Sequence, residues 1–390
     1  MLSIEEARAA VLAEVRPLPS EELSVGEALG RVLAEDVTAA ADVPGFANSA
    51  MDGFAVRSGP AGRTLRIVGE SRAGAPAGTP LGDGEAIRIS TGAMLPEGAD
   101  AVLQIELVRE DTDSVTLKDD VAPGRNVRHA GEDVRAATTV LTAGTPLGPA
   151  ELGVAVNAGR ATVRVAHRPH VAILATGDEL VDPGAPLGPG QIHDSNAITL
   201  SALATASGAD PHALRVPDER AATERAIAEA LDGADLVILS GGVSVGPHDH
   251  VKPALQSNGV DEVFWRVALR PGKPTWFGVR RADTTLVLGL PGNPVSAYVT
   301  FTLFARPAVA ALQGADPSPR RGRARLAVPV ERHPDRDECV RVRIDADGAA
   351  TPTGPQGSHI LSSLLGADGL AVIPRGTKRL PAGAQVDVYE

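Results

Sequence analysis

Three glycine-bearing turns follow apolar runs of strand length, and their residue types suit a phosphate-bearing ligand. The runs are HVAILATGDEL (170–180), LVILSGGVSVGPHDH (236–250) and TLVLGLPGNPVSAY (285–298). Glycine lets the backbone approach a ligand closely, and successive N–H groups bind anions, most readily at the start of a helix. Because the three turns fall in one stretch, the sequence predicts an anion site at the edge of a parallel sheet.

Carboxylates accompany these turns. Asp178 and Glu179 are adjacent in the first turn, Asp218 follows the apolar run HALRVP, and Asp249 ends the second turn. Carboxylates beside a phosphate site indicate a divalent cation. We favour Glu179 over Asp178 for the site, because one acid of an adjacent pair can simply cap the next turn. A solvent-facing loop acid is nearly as good an interpretation of Asp218.

Two cations, Arg270 and Lys273, flank a stiff Pro-Gly in LRPGKPTWFG (269–278). Such a pair suits a small oxyanion, with an ordinary surface loop as the alternative. His248 and His250 could form a zinc pair, but no third ligand is nearby in the sequence. Taken by their residues alone, 48–57 and 91–100 favour structural turns, and QGSHI (356–360) favours a turn or an anion-contacting loop. The sequence contains neither a Gly-x-Gly-x-x-Gly motif nor a Walker A motif, which weakens nicotinamide and P-loop interpretations.

Strand and helix patterns alternate over 168–313, which predicts a doubly wound α/β domain. Before it, short alternating strands over 57–134 predict a β-rich module, and helical patterns lie on both sides: 3–15, 25–33 and 149–159. After it, alternating runs over 323–390 predict a small β-barrel or sandwich. The predicted domains are therefore 1–40 with 137–167 (elongated, helical, discontinuous), 41–136 (inserted, β-rich), 168–316 (α/β) and 317–390 (C-terminal β).

Composition narrows the class of protein. The chain has 390 residues, a net charge of −12 and one cysteine. The charge argues against non-specific binding to nucleic acid or anionic membranes. We see no apolar stretch approaching the roughly 20 residues that span a bilayer, and no secretory signal. One cysteine excludes an internal disulfide and suits the reducing cytoplasm.

These motifs, in this order, resemble the MoeA family of molybdopterin molybdenumtransferases and the related E domain of gephyrin. The matching segments are NSAMDGFAVR, RISTGAMLPEGADAV, GEDV, ATGDEL, SGGVSVGPHD, RPGKP, GLPGNPVSA and QGSHILSS. The resemblance covers nearly the whole chain. It implies four domains, including a molybdopterin-binding α/β domain and a C-terminal β-barrel, in an elongated homodimer.

The resemblance also implies a reaction and its residues. Molybdate and adenylylated molybdopterin are the substrates, Mg²⁺ assists cleavage of the pyrophosphate, and AMP leaves. Glu179, Asp218 and Asp249 would hold the cation. The molybdopterin phosphate would be bound by the second and third turns: Ser240, Gly241, Gly242, Ser244, Pro291, Gly292, Asn293 and Pro294. Molybdate would be bound by Arg270, Lys273, Ser296, Arg341 and Ser358. Asp52, Thr91 and Asp133 match functional positions and would complete the site from the partner subunit.

Two features depart from the family pattern. The family loop usually carries two lysines where this chain has Arg270 and Lys273, so a forked guanidinium replaces a point charge. The region around Cys339 also diverges, which leaves Arg343 as an alternative to Arg341. Molybdopterin adenylyltransferase is a candidate partner and also the alternative activity, and a non-catalytic molybdopterin-binding scaffold is the third interpretation. Molybdate and tungstate are not distinguished by these motifs.

Overall fold

A computed structural model of the protein describes residues 1–241, 250–319 and 321–390. The central sheet has six strands, whose order in space places the turns predicted to bind the ligand side by side. The order is Asp210–Val216, His170–Thr176, Leu236–Ser240, Thr285–Leu290, Trp276–Arg280 and Val260–Trp265. The first four strands are parallel, and each of the last two runs antiparallel to the strand before it. The carboxyl ends of the parallel strands therefore meet at one edge.

Helices cover both faces of this sheet because its strand residues alternate between two cores. Val171 and Ile173 point to one core, whereas Ala172 and Leu174 point to the other. The helices on the first face are Ile4–Glu14, Ser195–Ala206, Pro294–Thr300 and Arg306–Leu312, and those on the second are Arg220–Gly233 and Val251–Ser257. The predicted doubly wound α/β domain is confirmed.

The helical run Pro294–Leu312 corrects one expectation. It has 19 residues and a mean hydropathy of 1.4, which is long and apolar enough to cross a membrane. However, 78% of its most apolar window is buried inside the protein, as in the core helix of a globular domain. The run contains a wide π turn, Phe301–Ala305, just before Pro307. A proline lacks the N–H that would continue the regular hydrogen-bond ladder, so the turn widens there.

The first helix, Ile4–Glu14, begins with the predicted capping box between Ser3 and Glu6 and packs against the α/β core. The helix expected over 25–33 is wrong. Only a single 3₁₀ turn, Val25–Glu27, forms there, because Gly26 and Gly30 interrupt the segment and Gly30 has φ +72°. Residues on both sides of the inserted β unit nevertheless form one small core. It is built from two strand ladders and one helix: Ser20–Ser24 with Thr162–Ala166, Val37–Thr38 with Thr139–Leu141, and Pro149–Asn157.

The inserted unit is a six-stranded sheet built on the predicted short strands. The order is Ala101–Gln104, Gly53–Val56, Glu85–Ile89, Thr64–Ser71, Ser114–Leu117 and Val108–Glu110. Phe54 and Leu103 are fully buried in its core. A short ladder, Asn48–Ser49 with Val127–Arg128, ties the beginning of this unit to its end.

The C-terminal strands close into a five-stranded barrel, which confirms the predicted β-barrel. The ring runs Asp337–Ile344, Ala349–Pro352, Arg321–Leu326, Gln385–Tyr389 and Gly369–Ile373, and the last strand pairs again with the first. Closure removes exposed strand edges. A two-residue strand of the α/β domain, Leu269–Arg270, pairs in parallel with Asp337 and Glu338. The barrel is therefore attached directly to the loop that carries Arg270 and Lys273.

Candidate functional site

A cleft of about 740 Å³ opens at the carboxyl edge of the central sheet. All three predicted turns contribute to its wall. The residues that line it are Thr176, Gly177, Glu179, Leu180, Ile192, His193, Asp194, Ser195, Asn196, Asp218, Ser240, Gly241, Gly292, Asn293, Pro294 and His359. Gly242, Ser244 and Asp249 lie outside the described residues, and Pro291 is buried behind the lining.

The second and third turns are held against each other by their backbones. The Gly241 N–H donates to the Leu290 carbonyl at 3.2 Å. A Cβ on Gly292 would lie 3.8 Å from the Gly241 Cα, and one on Gly241 would lie 3.3 Å from the Thr176 carbonyl oxygen. Gly241 also has φ +94°, a region that favours glycine. The glycines thus allow three strand ends to converge on one ligand-sized space.

Asn196 links these two turns, and the sequence analysis missed it. Its Nδ2 donates to Ser240 Oγ at 2.9 Å and to the Gly292 carbonyl at 2.7 Å. Asn196 lies in the first turn of the helix Ser195–Ala206, whose N-cap Asp194 accepts from the Ala197 N–H. The signal that could have found it is Asp-Ser-Asn at a helix start, a pattern that places polar side chains at a site for anions.

The carboxylates divide between the cleft and a turn. Glu179 and Asp218 line the cleft, whereas Asp178 accepts the Asp218 N–H at 3.0 Å and so fixes the Asp218 loop. The Glu179 carboxylate folds over Gly177, where a Cβ would lie 2.5 Å from Oε2. The described residues contain no group of three or more metal-ligating side chains. Two carboxylates nevertheless fit Mg²⁺, which commonly uses one or two together with phosphate oxygens and water.

The charge of the cleft is unusual for an anion site. Its described lining includes Glu179, Asp194 and Asp218 but neither lysine nor arginine. The lining includes instead the starts of two helices and two histidines that the sequence analysis did not assign, His193 and His359. His193 Nε2 lies 3.0 Å from the Ala185 carbonyl, and His359 is the one lining residue from the barrel.

The predicted molybdate residues gather beside the cleft rather than in its lining. Ser296 is 3% exposed in the first turn of the helix Pro294–Thr300, and the Val295 N–H donates to the Ser358 carbonyl at 3.0 Å. Gly272 abuts Thr300 in the same helix, which places the Arg270–Lys273 loop on it. Arg270 and Lys273 are both exposed. The structure therefore brings four of the five residues to the junction of the α/β domain and the barrel.

The predicted molybdate residue Arg341 has a fully buried side chain that contacts its own domain. Nε donates to Ser363 Oγ at 3.1 Å, and Nη2 lies 3.4 Å from the carbonyls of Pro355 and Gly357. Burial lowers the pKa of the guanidinium. Arg341 thus fixes the loop that carries Ser358 and His359. Its Nη1 is buried with no hydrogen-bond partner among the described residues. The alternative, Arg343, is exposed, and its Nε donates to the Gly366 carbonyl at 3.3 Å.

Asp52, Thr91 and Asp133 do not reach the cleft of their own chain. All three are exposed on the inserted unit or its base. Asp52 Oδ1 accepts from the Thr91 N–H at 2.7 Å and from Thr91 Oγ1 at 3.1 Å, so the two form one polar group.

Three family descriptions together match most of the chain. Residues 2–159 match "MoeA N-terminal region (domain I and II)", residues 172–311 match "Probable molybdopterin binding domain", and residues 323–390 match "MoeA C-terminal region (domain IV)".

Curated relatives match over the full length. The molybdopterin molybdenumtransferase of Haemophilus influenzae is 37% identical, with 100% of this chain and 98% of that protein covered. Molybdopterin molybdenumtransferase 2 of Mycobacterium tuberculosis is 38% identical, with both chains covered completely. A crystal structure of the molybdopterin biosynthesis moeA protein of Pyrococcus horikoshii superposes with a TM-score of 0.86 at 29% identity, covering 100% of this chain and 99% of that one.

Proposed function

Because the chain belongs to the MoeA family of molybdopterin molybdenumtransferases, we propose that it is a transferase of molybdenum cofactor biosynthesis that inserts molybdenum from molybdate into adenylylated molybdopterin. Water adds across the P–O–P linkage, so AMP leaves and the other phosphate stays on molybdopterin. Two Mo–S bonds form as one molybdate oxygen leaves as water with the two thiol protons, without a change of oxidation state. The observation that carries the proposal is the cleft, in which glycine turns and helix N-termini face two carboxylates.

The cleft residues have distinct roles in this proposal. Mg²⁺ held by Glu179 and Asp218, with Asp249 from the second turn, would neutralise charge on the pyrophosphate. Ser240, Gly241 and the Gly292–Pro294 turn would bind the molybdopterin phosphate through hydroxyl and N–H groups. Asn196 holds these two turns at a fixed spacing, which supports binding by a pre-formed site.

Molybdate would bind at the neighbouring junction. Arg270 and Lys273 supply positive charge, and Ser296 and Ser358 supply hydrogen-bond donors. This position is supported by the packing of the Arg270–Lys273 loop, at Gly272, against Thr300 of the helix Pro294–Thr300 that follows the third turn. Arg341 would act there by positioning the Ser358 loop, and its buried Nη1, which has no hydrogen-bond partner among the described residues, is a further candidate donor to molybdate.

The homodimer is part of the same proposal. The exposed Asp52–Thr91 group and Asp133 would complete the cleft of the partner subunit, since they are not among the lining residues of their own cleft. The molybdopterin adenylyltransferase that makes the substrate is a candidate partner, and the cytoplasm is the proposed compartment.

The test is AMP release from adenylylated molybdopterin with Mg²⁺ and molybdate. Glu179→Gln and Asp218→Asn should each lower the Mg²⁺-dependent rate by at least about tenfold. Asp232→Asn is the matched control, because this 78%-exposed acid pairs with Arg280 away from the cleft. A rate that needs neither Mg²⁺ nor molybdate would refute the proposal. Consumption of ATP by the protein would favour the adenylyltransferase, and tight binding without AMP release would favour a scaffold.

A further inference from the structure

Arg270 is oriented by an acid from another domain. Its Nε lies 3.6 Å from Glu338 Oε1, and the two residues are opposite each other in the parallel ladder between the α/β domain and the barrel. The Glu338 side chain is only 13% exposed, whereas Arg270 is 53% exposed. The acid is therefore the fixed member of the pair and the arginine the solvent-facing one.

The contact is made by Nε and leaves the two terminal nitrogens of the guanidinium available. Arginine presents five N–H donors, and its two terminal nitrogens can bind two oxygens side by side. Within the part of the chain that the structure describes, no other polar contact of Arg270 is found. Holding Nε leaves the terminal fork free. A lysine ammonium has no second donor group, so the same acid would compete with an anion for it.

We propose that Glu338 is a positioning residue that aims the Arg270 fork at the oxyanion site. The inference rests on the proposed molybdate site. It gives a reason for arginine at a position where the family usually has lysine: the acid that would neutralise a lysine instead aligns an arginine.

Two opposing effects make the sign of the result informative. Removing the Glu338 charge takes a negative group away from a dianion site, which would tighten binding by Coulomb's law. Removing the Glu338 contact releases the Arg270 side chain, which would weaken binding through lost orientation. The proposal requires the second effect to exceed the first when residue 270 is arginine, and the first to exceed the second when it is lysine.

The experiment is a double-mutant cycle on the full-length protein, with molybdate binding followed by calorimetry and molybdate half-saturation followed by AMP release. Glu338→Gln should raise the molybdate dissociation constant about two- to fivefold, the range expected for one half-exposed ion pair. In the Arg270→Lys background the same change should lower the dissociation constant. Glu331→Gln, in an exposed barrel pair with Arg379, is the control.

Three outcomes would overturn the proposal. Tighter binding in Glu338→Gln alone would make the acid a competitor of the anion. Equal weakening by Glu338→Gln in the wild-type and Arg270→Lys backgrounds would mean that Glu338 acts on the barrel and not through Arg270. Absence of molybdate binding to the wild-type protein would refute the molybdate site itself. If the wild-type protein released AMP but did not bind molybdate, the molybdate site would be refuted and the cleft would not.

Discussion

Replacing Asn196 by alanine tests whether the cleft is pre-formed. The side chain makes two hydrogen bonds, to Ser240 Oγ at 2.9 Å and to the Gly292 carbonyl at 2.7 Å. They join residues 44 and 96 positions away, so they fix the spacing of the second and third glycine turns, which are proposed to bind the phosphate. A typical net contribution is about 0.5–1.5 kcal/mol per bond, or about 1–3 kcal/mol for the pair. If all of it is expressed in binding, the ligand dissociation constant rises about 5- to 150-fold.

Asn196→Asp separates the two bonds. The Ser240 hydroxyl can rotate and donate to the new carboxylate, but the Gly292 carbonyl would face a second acceptor. The variant also adds negative charge to a cleft whose described lining already holds three acids. We therefore expect Asp to weaken binding at least as much as Ala, and to recover partly as Mg²⁺ is raised.

Binding of adenylylated molybdopterin and urea unfolding should be measured together. Asn258→Ala is the matched control, because its Nδ2 also donates to a backbone carbonyl, that of Ala254 at 2.8 Å, but outside the cleft. We expect only the Asn196 variants to lose affinity beyond about twofold. Wild-type affinity in folded Asn196→Ala would refute the argument that this side chain sets the spacing of the turns.

Three further predictions concern the positions around the site. Gly177→Ala should lower Mg²⁺-dependent AMP release by roughly tenfold or more, because Gly177 has φ +148° and a Cβ there would displace the Glu179 carboxylate. The control, Gly153→Ala, has open space around the added Cβ and should leave the rate unchanged. Arg341→Met should lower the free energy of unfolding in urea by about 2–4 kcal/mol, since Ser363 and two carbonyls lose their donor, and unchanged stability would contradict that role. Burial raises the pKa of the Cys339 thiol to about 12, so the native protein at pH 8 should resist iodoacetamide, whereas the denatured protein should be labelled at one thiol per chain. The stability that the protonated thiol contributes is present below about pH 9 and is lost as the pH rises toward 12.

The α/β domain could be predicted because its parallel strands are buried on both faces. Runs such as VAILAT and TLVLGL are continuous and apolar, and both form strands within one residue of the predicted bounds. The strands Val260–Trp265 and Trp276–Arg280 were not predicted. Acids at 261 and 262 interrupt the first, which lies at the sheet edge where one side stays open. A continuous apolar run therefore indicates a buried strand, and a strand that lacks such a run can be missed.

The candidate site was predictable where a single segment carries the chemistry. ATGDEL and GLPGNP contain both the turn and the polar groups, so their position at the cleft follows from the strands before them. Asn196 and Arg341 act through partners that are distant in the sequence, and an asparagine or an arginine does not by its residue type indicate which partner it will contact. Arginine is normally exposed, so a sequence gives no reason to bury Arg341. The role of Asn196 depends on where the helix Ser195–Ala206 begins, and the role of Arg341 depends on how the barrel packs.

The distribution of charge explains why the two substrates would need different sites. The described lining of the cleft carries acids and neither lysine nor arginine, so an anionic ligand would bind there through N–H dipoles and through a cation shared by the ligand and the acids. Molybdate has no such cation of its own and needs fixed positive charge, which this chain places one loop away, on Arg270 and Lys273. Placing these cations in the cleft would pair them with Glu179 and Asp218 and remove the acids from Mg²⁺. On the proposed assignment of the two sites, the barrel would resolve this conflict by holding Arg270 outside the cleft lining through Glu338.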